Sequence, residues 1–143
     1  MLNSYDTEDS LIEAFLNTIV YEHDPLNIDG FSREFDYRSG RTDIIFRTTN
    51  GRLISVEAKL SKWRNALHQA YRCSAFSHYS YVLLPLHYAH IALRSKDEFE
   101  KRNVGLLTIE NNQVKILIKP KVLKPFQPWL TESAYLQIAG GGA

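Results

Sequence analysis

Three ionisable side chains interrupt two apolar runs. Asp43 stands near the start of the first, and Glu57 and Lys59 near the end of the second. The stretch Ile54-Ser55-Val56-Glu57-Ala58-Lys59-Leu60 otherwise reads as a β-strand, and residues two apart on a strand share a face. Glu57 and Lys59 therefore point the same way. Between the runs, Asn50-Gly51 is a strong hairpin signal. A two-residue turn would set Asp43 against Ala58, on the face away from Glu57. A three-residue loop of Thr49, Asn50 and left-handed Gly51 pairs Asp43 with Glu57, Ile45 with Ser55, and Arg47 with Leu53. The opposite face then collects Ile44, Phe46, Ile54, Val56 and Ala58, with only Thr42 at its end. A one-residue slip would scatter that apolar set over both faces, so the longer loop is predicted.

Two carboxylates brought together repel each other, and burying them uncompensated is costly. Either Lys59 or a divalent cation relieves the cost. Oxygen-only ligation by Asp and Glu suits a hard ion, Mg²⁺ or Mn²⁺, which keeps several waters and shares phosphate oxygens. A lysine beside it can orient or help deprotonate a water, or stabilise charge developing on a phosphate. The plainer alternative is a cross-strand salt bridge of Glu57 and Lys59, with Arg41 or Arg64 nearby.

The flanking pattern supplies elements to hold these residues. Ser10 to Glu13 reads as a capping box opening a helix through about Tyr21, with Leu11, Ile12, Phe15, Leu16 and Ile19 on its apolar side. Phe31 to Tyr37 alternates weakly, as an edge strand does, and Arg38-Ser39-Gly40 is a turn. After Leu60, the spacing of Trp63, Ala66, Leu67, Ala70 and either Cys73 or Ser74 predicts a helix over about 62–76. A short strand from Tyr79 ends at Pro85, residues 86–103 are mostly helical with Ser95 as an N-cap, and Val104–Ile109 and Val114–Ile118 form a hairpin. The order α, β, β, β, α, β, α, β, β predicts an α/β fold with a central mixed sheet flanked by helices. Residues 1–122 are expected to form the domain and 123–143 an irregular, proline-interrupted tail. His87, Tyr88 and His90 lack a third ligand at zinc-site spacing and read as ordinary helix residues.

At 143 residues the chain fits one core, and 44% hydrophobic with 23% charged residues is ordinary for a globular domain. No run approaches the roughly 18 apolar residues needed to span a bilayer. The N-terminus is acidic and polar, unlike a secretory or transit peptide, and Cys73 stands alone, so a reducing cytoplasm is expected. The net charge of +1 is unevenly spread. Residues 1–40 balance at −7, residues 41–72 at +5 and residues 73–143 at +3. Positive charge thus gathers around the carboxylates, either to meet a polyanion or as a solvated face.

Asp43 at a strand start, Glu57-Ala58-Lys59 on the next strand, Glu13 on a first helix and Gln69 on a following one resemble the PD-(D/E)XK nuclease superfamily. The stretch EAKLSKWRNALHQAYRC is similar to the segment after the Glu-x-Lys in many members. The "PD" position here is Thr42-Asp43, without the proline. The resemblance covers about residues 10–84 and implies a restriction-endonuclease-like core, α-β-β-β-α-β. It implies Asp43 and Glu57 as metal ligands, with the Ala58 carbonyl as a further one, and Lys59 serving the attacking water and the phosphate. Glu13 corresponds to the first-helix acid that reaches the site in many members, although it also closes the expected capping box. Gln69 corresponds to a helix glutamine leaning over the site in one branch, or faces solvent. Arg41, Lys62, Arg64 and Arg72 are the candidate nucleic-acid contacts.

The function expected is Mg²⁺- or Mn²⁺-dependent hydrolysis of DNA, with a homodimer or larger complex supplying specificity. The alternative is an inactive module of the same fold that binds nucleic acid or a partner protein, and the retained Asp43, Glu57 and Lys59 argue against it. An RNA-directed nuclease, or a structural protein of a phage or mobile element, is a third reading.

Overall fold

The computed structural model describes residues 5–141. Its order is α1 (Glu8–Tyr21), β1 (Ile28–Asp36), β2 (Arg41–Thr48), β3 (Leu53–Ala58), α2 (Trp63–Arg72), β4 (Tyr79–Leu83), α3 (Leu86–Leu93), α4 (Lys96–Arg102), β5 (Gly105–Glu110), β6 (Gln113–Ile118) and α5 (Pro128–Ala139). The six strands form one sheet in sequence order. β1, β2 and β3 pair antiparallel, β3, β4 and β5 parallel, and β5 and β6 antiparallel. This is the mixed α/β architecture expected, and it is compatible with a restriction-endonuclease-like fold. Among the described residues, no helix is long and apolar enough to cross a membrane.

One face of the sheet carries α1. Leu11, Ile12, Phe15 and Ile19 pack there on Ile44, Phe46, Ile54, Val56 and Ala58, the apolar set that the hairpin pattern picked out. On the other face, Trp63, Ala66, Leu67 and Ala70 of α2 join Ala89, Ala92 and Phe99 over Val82 and Leu106. Further along that face, Phe35, Ile45 and Leu53 meet Cys73, Phe76 and the α5 residues Ala134 and Ile138. Trp63 is 8% exposed and stacks on Phe99 at 5.5 Å between ring centroids, so it belongs to the core.

The hairpin has the three-residue loop. Ile45 pairs with Ser55 and Arg47 with Leu53, the Thr48 amide donates to the Arg52 carbonyl at 2.8 Å, and Gly51 has φ +80°. A left-handed backbone suits glycine because no Cβ meets the following carbonyl. Gly51→Ala has open space around it, yet it should cost about 1 kcal/mol through that φ alone. Chemical denaturation measures this, and no loss would show that the loop relaxes into another turn.

Two local expectations are corrected. The N-cap of α1 is Thr7: its hydroxyl accepts from the Ser10 amide at 3.0 Å, and Ser10 Oγ accepts from the Thr7 amide at 3.2 Å. The capping box therefore lies one turn before the Ser10–Glu13 pair. The irregular tail of 123–143 is also replaced, from Pro128 to Ala139, by α5. Pro128 starts that helix instead of breaking it, because a first-turn residue needs no intrahelical N–H donor. Thr131, Ala134 and Ile138 then face the sheet at helical spacing. The expected helical segment after Pro85 divides into α3 and α4. Ser95 holds the cap position of α4 without a side-chain bond to it.

Candidate active site

The site forms where β2 begins and β3 ends. β3 is buried along its whole length and lies in the sheet interior, antiparallel to β2 and parallel to β4. Its C-terminal end thus opens toward the start of α2, the kind of crevice in which α/β sheets place their chemistry. The backbone pairing of β2 with β3 runs out at Ile44 and Val56. Beyond it, Asp43 Oδ2 accepts the Ala58 N–H at 2.8 Å, doing with a side chain what a strand carbonyl does elsewhere.

That bond aims the Asp43 carboxyl along the sheet edge to Glu57, and the two carboxyls lie within hydrogen-bonding reach of each other. Glu57 is only 3% exposed, and its Oε1 is buried with no hydrogen-bond partner. Burial pushes the pKa of Glu57 up, the charge of Asp43 pushes it further, and the result is about 8. Burial also raises Asp43, but the Ala58 N–H and the Lys59 and Arg33 charges oppose the rise. The proton of the pair therefore belongs on Glu57.

Lys59 follows β3 directly, and its charge acts on both carboxyls. Its Nζ lies 3.8 Å from Glu8 Oε2 in the first turn of α1. Arg33 of β1 is a second cation here, which the sequence did not single out. Its strand position pairs with Ile44, next to Asp43, and its charge favours the ionised form of Asp43. Arg33 Nη2 meets Asp9 Oδ1 at 3.0 Å, while its Nε is buried without a partner. Neighbouring acids of α1 thus hold both site cations, each of which is 26% exposed. The far wall is Thr42, Tyr37 and Cys73, whose side chains surround Glu57 and one another. Burial lifts the Cys73 thiol to about 12, so it stays protonated and un-nucleophilic.

The remaining candidates are placed unevenly. Glu13 is exposed; five residues beyond Glu8, it lies about 140° round the helix from the acid that meets Lys59. Gln69 is half-buried on α2, one turn before Cys73. Arg41, Lys62 and Arg72 are exposed. Arg64 is exposed too, but its guanidinium is held by Glu98 at 2.9 Å and lies 4.2 Å above the Trp63 ring. His87, Tyr88 and His90 are exposed residues of α3.

Among the described residues, no group of three or more His, Cys, Asp or Glu is placed to hold a metal. Two carboxylates still suit Mg²⁺ or Mn²⁺, because such ions take few protein ligands and fill the remainder with water and phosphate. The unpartnered Glu57 Oε1 beside Asp43 fits that role, since a buried acceptor without a donor is a cation's natural partner.

No protein-family model matches this chain, and no curated protein matches it by sequence. Its fold is similar to that of the SPO1766 protein of unknown function from Silicibacter pomeroyi. That likeness has a TM-score of 0.69 at 12% identity and covers 97% of this chain and 88% of the other. A repair endonuclease from Pyrococcus abyssi is also similar, with a TM-score of 0.48 at 17% identity, over 76% of this chain and 49% of that one. At such identities the likeness concerns the fold alone.

Proposed function

We propose that the chain is a nuclease that hydrolyses DNA phosphodiester bonds with Mg²⁺ or Mn²⁺. The observation that carries this reading is the buried, unpartnered Glu57 oxygen beside Asp43, with the Lys59 charge bearing on both carboxyls. A purely structural salt bridge would leave the Glu57 oxygens satisfied and would keep Lys59 for Glu57. Here Lys59 pairs with Glu8, and the glutamate is left with an idle acceptor.

Asp43, Glu57 and the Ala58 carbonyl would hold the ion, which when bound polarises the scissile phosphate and acidifies its water. Asp43 is already aligned, because the Ala58 N–H fixes its carboxylate. Glu57 would have to give up its proton to hold a cation, a change its pKa of about 8 brings within reach at neutral pH. Lys59, drawn from Glu8 by an incoming phosphate, would stabilise the negative charge that grows on it. Arg33 offers a further donor in its free Nε.

The test is incubation with supercoiled plasmid and linear DNA in Mg²⁺, in Mn²⁺ and in EDTA, with Asp43→Ala alongside. Nicking is expected only with metal, and Asp43→Ala should lose it. No metal-dependent cut, or cutting that survives Asp43→Ala, overturns the proposal. DNA binding without cutting would instead identify an inactive nucleic-acid-binding module.

A further inference from the structure

Between Glu110 and Glu132 the chain carries Lys115, Lys119, Lys121 and Lys124 and no acidic residue. Most of this charge falls on the segment 119–129, Lys-Pro-Lys-Val-Leu-Lys-Pro-Phe-Gln-Pro-Trp, which links β6 to the start of α5. Lys119, Lys121 and Lys124 are exposed, and among the described residues none of them is in a salt bridge. Phe126 is 71% and Trp129 62% exposed. Large aromatics this open need a reason, since burial is where they gain most.

The segment is irregular yet fixed. The Lys121 N–H donates to Asn103 Oδ1 at 2.9 Å, and Asn103 Nδ2 donates to the Lys121 carbonyl at 2.8 Å. The Leu123 N–H donates to the His78 carbonyl at 2.9 Å, and the Gln127 N–H to the Ala75 carbonyl at 2.8 Å. Pro120 is buried, and Leu123 and Pro125, which alternate with the exposed lysines along the chain, are half-buried. The strap is thus held in place before any ligand arrives, which lowers the ordering cost of binding. Its aromatic end is tied to the turn Cys73–Phe76, and the Glu57 carboxyl is close enough to act on the Cys73 thiol through its charge.

We infer that this strap binds single-stranded nucleic acid, with Lys119, Lys121 and Lys124 on the phosphates and Phe126 and Trp129 stacked on unpaired bases. The inference rests on the nuclease reading for the kind of ligand, and narrows the substrate to DNA carrying an unpaired strand. Positive charge with open aromatic faces is what such a strand selects, whereas a duplex hides its base faces from stacking. A second copy of this chain fits less well. A two-fold contact sets each patch against itself, so lysines would meet lysines without an acid on the strap to relieve them.

The experiment is binding of fluorescent oligothymidylate and of a matched duplex in EDTA, where no metal-dependent cut can occur. The chain has two tryptophans, and Trp63 is buried against Phe99, so quenching of intrinsic fluorescence reports on Trp129. Oligothymidylate should bind more tightly than duplex and quench the fluorescence, and Trp129→Phe should remove the quench. The Phe126→Ala/Trp129→Ala pair, and the triple change of Lys119, Lys121 and Lys124 to alanine, should each weaken binding at least tenfold with the circular dichroism spectrum retained. The triple variant should also lower the slope of log affinity against log salt by about 2, from three contacts at roughly 0.7 each. Unchanged affinity in both variants overturns the inference. So does equal binding of polyglutamate, which marks an acidic protein partner, or a doubled mass that Trp129→Ala restores to monomer without any oligonucleotide binding. If oligothymidylate binds through the strap but no metal-dependent cut is found, the strap stands and the nuclease reading falls. If DNA is cut while the strap variants bind as the parent does, the strap alone falls.

Discussion

Lys59→Ala is expected to fold as the parent does and to cut DNA at least about a hundredfold more slowly in Mg²⁺, the loss typical of removing one charge-stabilising or proton-moving group. The fold should survive because Lys59 follows the end of β3 and its recorded ion pair, with Glu8, is partly exposed. Such pairs contribute little. The rate should not survive, because Lys59 is the cation whose charge bears on both Asp43 and Glu57. Lys59→Arg separates two roles. An arginine keeps the positive charge but does not give up its proton in a protein. Partial rescue would assign Lys59 to phosphate charge, and no rescue to the water's proton. Glu8→Gln frees Lys59 and should leave cutting as fast as in the parent or faster. Full activity in Lys59→Ala would remove this lysine from the chemistry.

The second large effect is on stability. Glu57 has a reference pKa of 4.5 and is raised to about 8 in the folded chain, first by burial and then by Asp43. Between those values the folded state holds a proton that the unfolded state has lost. Stability therefore falls as pH rises through this window, and above about 8 the folded chain carries the full penalty of an ionised, buried pair. At about 1.4 kcal/mol for each pH unit, the penalty is on the order of 5 kcal/mol. The metal-free protein should melt at least about 5 °C lower at pH 8.5 than at pH 6, and Glu57→Gln should flatten that slope and melt higher than the parent at pH 8.5. Mn²⁺ or Mg²⁺ added at pH 8.5 should raise the parent's Tm and leave Glu57→Gln nearly unmoved, since a ligand stabilises only the state that binds it. Thermal melts across pH 6–9 decide the matter. A parent profile as flat as that of Glu57→Gln would mean that Glu57 is ordinarily ionised and the dyad does not exist.

Much of the site was legible from local pattern because a β-hairpin is nearly determined by its own sequence. Two apolar runs, a Gly51 able to take positive φ, and the rule that one face must be buried fix the register, and the register brings Asp43 to the Glu57 side. The sequence predicted a mixed sheet flanked by helices but no strand order, and in the structure each strand pairs with its neighbours along the chain. Arg33 was not legible, because its approach to Asp43 depends on how edge strand β1 pairs with β2, and its own sequence surroundings carry no sign of that. Nor was Glu8. The helix pattern gave the apolar face of α1, but which first-turn acid meets Lys59 depends on where Thr7 begins the helix and how α1 lies across the sheet.

The C-terminal segment shows the same division from the other side. Its prolines read as breaks along the chain, and two of them, Pro120 and Pro125, do lie in the irregular stretch 119–127. Pro128 instead opens α5, whose Ala134 and Ile138 find their core only in Phe35, Ile45 and Phe76. By itself, then, the sequence determined the hairpin, its register and the types of group gathered there, because those follow from contacts near in the chain. Tertiary structure decided which cations flank the carboxylates, that Glu57 is left with an unpartnered oxygen, and that α5 and the lysine-aromatic strap pack as ordered parts of the molecule. Each of these depends on burial and charge shared between segments far apart in sequence, which no local spacing encodes.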